Sequence, residues 1–149
     1  VSKKSQNIHS IQDMTDKVLG AQAGSSGYLN FEGQPELLKN QVKDQKANQY
    51  QSFNEALIDL KNDRIDALVI DRVYANYYLQ SEGILNDYNV FSAGFESEAF
   101  AVGVRPADKT LLAALNQAFI SLYQEGKFQE ISQKWFGEDV ATSQVKNQE

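Results

Sequence analysis

Short apolar runs alternate with stretches of helical periodicity along much of the chain, and that alternation admits few folds. Asp66-Ala-Leu-Val-Ile70 is the clearest run, short and apolar enough for a buried strand. Lys17-Val-Leu-Gly-Ala-Gln-Ala23 reads as a second strand and Ala47-Asn-Gln-Tyr-Gln51 as a weaker third. Between the last two, Gly33-Gln-Pro35 interrupts a helix begun near Tyr28. Pro35 is placed to open a fresh helix carrying Leu37, Leu38 and Val42. Ser52-Phe-Asn-Glu55 matches a capping box, and Phe53, Ala56, Leu57 and Leu60 follow at helical spacing. Residues 73–79 read as a helix closed around Gly83, while residues 88–91 and 99–104 read as further strands. The expected class is α/β: a sheet with crossover connections, flanked by helices.

After residue 104 the pattern changes. Asn116-Gln-Ala-Phe-Ile-Ser-Leu-Tyr-Gln-Glu-Gly-Lys-Phe-Gln-Glu-Ile-Ser-Gln-Lys-Trp-Phe-Gly137 reads as two amphipathic helices divided at Gly126 and stopped at Gly137. Leu111, Leu115, Ala118 and Leu122 line the first; Phe128, Ile131 and Trp135 line the second, with Trp135 as a core anchor. The polar tail ending Gln144-Val-Lys-Asn-Gln-Glu149 is expected to fray. A length of 149 residues, 42% apolar and 23% charged, is enough for a hydrophobic core. The formal charge of −6 argues against a nucleic-acid surface and weakly favours neutral or cationic small partners. Without cysteine there is neither a disulfide framework nor a thiolate metal site. The single histidine, His9, has no partner at metal-ligand spacing and is expected in a solvated loop. No metal or cofactor is expected.

Two places carry chemistry. Gly24-Ser-Ser-Gly27 follows a strand and opens a helix, which aims unpaired backbone amides beyond the strand's carboxyl end. Ser26 adds a hydroxyl and Gly27 permits close approach, so the fitting guest is an anion; the alternative is a serine that caps its own helix. No Gly-Lys-Ser/Thr follows, which disfavours nucleotide binding. Asp71 lies just past the strand at 66–70, where an open sheet gathers ligands and a carboxylate can hold an ammonium group. It is equally placed to cap the next helix or to pair with Arg72 or Arg64. Asp66 stands at the strand's other end, too far for a catalytic carboxylate pair. Tyr74, Tyr77 and Tyr78 form an aromatic helix face suited to core packing.

Gly20-Ala-Gln-Ala-Gly-Ser-Ser-Gly27, Lys61-Asn-Asp-Arg-Ile-Asp-Ala-Leu-Val-Ile-Asp71 and the 116–137 segment, in that order, resemble the solute-binding proteins of polar amino-acid ABC transporters. The resemblance implies a type II periplasmic-binding-protein-like lobe with a mixed, mostly parallel sheet. It divides the chain into hinge strands and second lobe (1–104), C-terminal helices that normally pack on a first lobe (105–137) and a polar tail (138–149). Val1-Ser-Lys-Lys4 resembles the outgoing hinge and Phe100-Ala-Val-Gly-Val104 the returning one. On this reading the chain is about two thirds of a two-lobed binder and carries half of a site. By the same resemblance Ser26 and the Gly27 amide meet a ligand's α-carboxylate, Asp71 its α-ammonium, and Gln22 lines the pocket near its side chain. The implied partners are a free amino acid and the membrane subunits of an importer. The implied location is extracytoplasmic, with lipid anchoring dependent on residues before Val1. No enzymatic activity is expected. A sensory domain and a small-acid-processing enzyme are the alternatives on the same fold. Apolar helix faces without their first lobe are expected to drive a dimer or a domain-swapped assembly.

Overall fold

The computed structural model describes residues 1–146 and divides into two compact units, Val1–Glu96 and Ser97–Glu149. The first unit is built on a five-stranded sheet of β1 (Ser2–Lys3), β2 (Leu19–Gln22), β3 (Ala47–Tyr50), β4 (Ala67–Val69) and β5 (Tyr88–Asn89), in the order β3-β2-β4-β1-β5. β2 pairs in parallel with both β3 and β4, and β1 pairs antiparallel with β4 and β5. Every strand except β1 therefore points the same way, and the sheet is mixed, as expected, with two parallel and two antiparallel pairings.

The helices α1 (Ser26–Gly33), α2 (Phe53–Lys61) and α3 (Arg72–Ser81) follow β2, β3 and β4. The chain steps from β2 outward to β3 and then back across β2 to β4. Right-handed crossovers in opposite directions put α1 and α2 on opposite faces. The side chains follow. Leu19 and Ala21 of β2 and Ala67 and Val69 of β4 join Phe31 of α1 in one buried cluster, with Ile8, Met14, Leu38 and Val42. Leu68 of β4 points the other way and packs with Ala56, Leu57 and Leu60 of α2 and Leu79 of α3. This is the period-two alternation of a sheet covered on both sides.

Local signals account for the helix boundaries. Ser52 accepts the Glu55 N–H at 3.3 Å, as the capping box predicts. The Glu55 carboxylate, however, accepts the N–H of Gln51 at 3.2 Å rather than that of Ser52. Gly83, with φ of +70°, turns the chain after α3.

The helix expected from Pro35 does not form. Residues 35–42 instead run through successive turns, with Leu38 and Val42 buried beneath them. The segment's amides make turn bonds, Asn40 N to Pro35 O at 2.9 Å and Gln41 N to Leu38 O at 3.0 Å. Its end is tied across the chain: Gln41 O accepts from Asp16 N at 3.1 Å, and the Lys43 N–H just beyond donates to Lys17 O at 3.0 Å. Amides bonded to i−3 and i−5 carbonyls do not build an i to i−4 ladder.

The second unit holds α4 (Lys109–Gln124), α5 (Lys127–Phe136) and the short α6 (Ser143–Lys146). Gly126 (φ +76°) joins α4 to α5 and Gly137 (φ +73°) ends α5, both in the left-handed conformation that glycine tolerates best. Phe128 of α5 packs against Phe119 and Tyr123 of α4, with ring centroids 6.3 and 6.2 Å apart. Trp135, expected as a core anchor, is 47% exposed with Lys134 Nζ 5.3 Å above its ring. Leu111, Leu122 and Ile131 are exposed as well. Residues 99–104, expected as a strand, pair with nothing among the described residues. A strand is defined by its ladder, and an unpaired segment stays irregular. The segment after Gly137 is tied back rather than frayed as far as residue 146: Asp139 accepts from Ala141 N, the Tyr123 hydroxyl and Lys146 Nζ. The last three residues of the expected tail lie outside the described residues.

Candidate functional site

The register of the central strands builds the candidate site. Leu19, Gly20 and Ala21 of β2 stand opposite Ala67, Leu68 and Val69 of β4, so the two neighbours end within one residue of each other. Gln22 is the last residue of β2, Ser26 and Gly27 are the first two of α1, and Asp71 is the N-cap of α3 immediately beyond β4. All four therefore lie at one edge of the sheet, at or just past the carboxyl ends of adjacent parallel strands. A Cβ placed on Gly27 would come within 3.3 Å of Val69 Cγ2, so the first turn of α1 rests on the end of β4.

The amides of α1 divide cleanly. Ser25, with extended φ and ψ of −70° and 156°, is the cap: its hydroxyl accepts the Tyr28 N–H at 3.2 Å and donates to Gln22 O at 2.9 Å. The Leu29 N–H donates to Ser25 O at 3.0 Å. The Ser26 and Gly27 amides precede the first intrahelical bonds and point off the helix end. The capping role weighed for Ser26 thus belongs to its neighbour, and the Ser26 side chain is exposed. Gly24 turns the chain there with a left-handed φ of +71°, and Ser25 directly after it has the extended conformation a cap needs.

Asp71 does cap its helix, accepting the Tyr74 N–H on Oδ1 at 2.8 Å. A carboxylate has about four lone-pair directions, so one capping bond leaves acceptor capacity for a guest. Asp66, at the other end of β4, accepts the Val18 N–H at 2.7 Å. Arg64 pairs with Asp59 at 2.7 Å. Neither takes part at this edge.

Further polar groups flank the cluster. Tyr28 of α1 accepts from Gln49 Nε2 at 3.0 Å, and Tyr74 of α3 donates to Asn54 Oδ1 at 3.2 Å while its ring lies 5.4 Å from that of Phe53. Tyr50, at the end of β3, donates to Asp59 Oδ2 at 2.9 Å; burial first, and then that carboxylate, push its phenol up to about 12. The aromatic face expected of α3 is split: Tyr78 packs on the core, and burial raises its phenol, whereas Tyr74 and Tyr77 are exposed at 36% and 40%.

Because β2, β3 and β4 point the same way, α1, α2 and α3 all begin at this edge, each with the equivalent of roughly half a positive charge from its unpaired amides. The edge thus offers a carboxylate a set of amide donors, and offers an ammonium group the carboxylate of Asp71. Among the described residues no three His, Cys, Asp or Glu side chains come together as metal ligands, and no helix is long and apolar enough to cross a membrane.

Solved structures share this architecture. A polar amino acid ABC uptake transporter substrate-binding protein from Streptococcus thermophilus is 59% identical, with a TM-score of 0.83 over 97% of this chain and 55% of its own. An ABC uptake transporter substrate-binding protein from Streptococcus pneumoniae, with bound histidine, is 71% identical, with a TM-score of 0.75 over 95% of this chain and 57% of its own. Among curated proteins, the ABC transporter arginine-binding protein 1 of Escherichia coli (strain K12) is 28% identical over 139 residues, covering 91% of this chain and 54% of that protein. The chain spans about half the length of the curated relatives it matches, less than the two thirds anticipated. Residues 2–138 match the bacterial extracellular solute-binding proteins, family 3, and the chain belongs to that family.

Proposed function

We propose that this chain supplies one lobe of the substrate-binding component of an ABC importer and binds a polar amino acid without turning it over. One observation carries the reading: the amide-rich start of α1 and the carboxylate of Asp71 lie at the same edge, beyond two strands in direct register. Ser26 and the Gly27 amide hold the α-carboxylate, Asp71 holds the α-ammonium, and Gln22 faces the ligand side chain. A zwitterion is thus gripped at both charged ends by groups of opposite sign. The bound histidine of the 71%-identical relative makes L-histidine the first ligand to test.

Residues 1–104 act as hinge strands and second lobe, and residues 105–137 as helices that pack on a first lobe supplied by other residues. Closure of two lobes on the ligand would then present a distinct surface to the transporter's membrane subunits. The protein works outside the cytoplasm, in line with a family described as extracellular. Exposed Leu111, Leu122, Ile131 and Trp135 favour self-association of the isolated chain, as a dimer or by exchange of helices. A sedimentation run at high concentration checks this, and a sharp monomer there removes it.

The functional test is an amide chemical-shift titration with L-histidine and a panel of other free L-amino acids. Shifts centred on Ser26, Gly27 and Asp71 are expected. Specific shifts confined to other residues would overturn the assignment.

A further inference from the structure

Tyr74 makes three directed contacts, one to Asp71 and two to the start of α2. Its N–H donates to Asp71 Oδ1 at 2.8 Å, its ring lies 5.4 Å from Phe53 at an interplanar angle of 37°, and its hydroxyl donates to Asn54 Oδ1 at 3.2 Å. Phe53 and Asn54 open α2, whereas Tyr74 is the third residue of α3. A single side chain therefore ties together the first turns of two helices that begin at the ligand edge. Core burial does not explain this arrangement. Neither Phe53 nor Tyr74 belongs to a buried cluster, and Tyr74 is 36% exposed.

We propose that Tyr74 is a positioning residue for Asp71, braced by Phe53 and Asn54. The proposal rests on the reading of Asp71 as the ammonium holder. Helix ends fray, and a fraying first turn of α3 would carry its N-cap carboxylate with it. Anchoring that turn to α2 fixes the carboxylate before the ligand arrives, so less ordering remains to be done on binding. α2 is a suitable anchor because Ala56, Leu57 and Leu60 fix it to the core.

The test substitutes the brace and leaves Asp71 and Tyr74 in place. In Phe53→Ala, amide hydrogen exchange at Tyr74 should quicken by about twofold to tenfold, the range an aromatic pair's contribution spans, while Leu79 in the core of α3 stays unchanged. Phe53→Tyr, which keeps the ring pair, should restore the original rate. Equal acceleration at both amides would reveal general destabilisation and overturn the proposal, as would no change at Tyr74. L-Histidine titrations of the same chain supply the second readout. Phe53→Ala should weaken binding when Asp71 is present and have no effect in an Asp71→Asn background; equal weakening in both overturns the positioning role. If Asp71→Asn by itself leaves L-histidine affinity unchanged, the ammonium reading fails, and the exchange rates still decide the brace.

Discussion

The hydroxyl oxygen of Ser25 accepts the N–H of Tyr28 at 3.2 Å, so the cap of α1 and the residue offered to solvent are two different serines. Ser25→Ala should lower unfolding stability by about 1 kcal/mol through loss of that cap. Ser26→Ala should change stability by less than about 0.5 kcal/mol, as expected at an exposed position, yet weaken L-histidine binding. Urea unfolding and ligand titration of both variants separate the two roles. A larger stability loss in Ser26→Ala would reassign the cap.

Asp71→Asn separates structure from charge in the same way. Asparagine caps helices about as well as aspartate, so stability should hold to within about 0.5 kcal/mol. Loss of the charge should cost roughly 1.5–3 kcal/mol of binding, the usual worth of a hydrogen bond to an ionised group. Calorimetric titration against thermal melting measures both. Unchanged affinity would exclude Asp71 from the site.

Two glycines should respond to alanine with opposite signs. A Cβ on Gly20 would stand 2.5 Å from Ile65 Cδ1 and 3.1 Å from Tyr50 Cε2, inside a cluster where Ile65 is fully packed. That overpacking should cost about 1–3 kcal/mol. Nothing lies within 4 Å of a Cβ on Gly33, the last residue of α1, where alanine should stabilise by roughly 0.5–1 kcal/mol. Denaturant midpoints decide both.

The acid limb of stability should depend on two surface aspartates. Arg64, and then the Tyr50 hydroxyl, hold Asp59 below the usual carboxylate range; Lys3, and then Gln6, do the same for Asp63. With the folded value depressed, the unfolded chain binds more protons. The contribution is therefore complete above the unfolded value of about 3.9 and lost as pH falls through the folded one. Asp63→Asn should lower the urea midpoint slightly at neutral pH, as befits an exposed pair, and flatten its fall below about pH 4. Tyr50 acts at the alkaline end: raised to about 12, it favours the folded state up to the ordinary phenol value near 10 and loses that contribution as pH climbs through its own. Tyr50→Phe should remove one late-ionising phenol from a spectrophotometric titration.

Much of the first unit was legible because its signals are local. The apolar run at 67–69, the periodicity of Ala56, Leu57 and Leu60, and the serine before Phe53 each act within a few residues and appear where periodicity puts them. The turns at 35–42 were not legible, because the end of the segment is bonded to residues 16 and 17, remote in sequence, while its amides settle into turn bonds. The strand expected at 99–104 failed for the same kind of reason: its pattern is intrinsic, but its partner is not. At the candidate site, sequence order put Gln22, Ser26, Gly27 and Asp71 at strand ends. It could not say which of two adjacent serines would turn inward, nor that Tyr74 would reach across to Phe53.

The pairing of β2 and β4, which end within one residue of each other, makes the sheet a ruler. Adjacent paired strands lie about 4.8 Å apart, a spacing set by backbone hydrogen bonds and common to all sheets. On the proposed reading, the distance between the grips for the two charged ends of a ligand is graduated in that unit rather than in side-chain lengths. Substitutions in the core can change how firmly the frame stands without changing its scale. Ligand preference is then free to drift through residues such as Gln22, while the demand for an α-amino acid backbone stays written into the pairing of the strands.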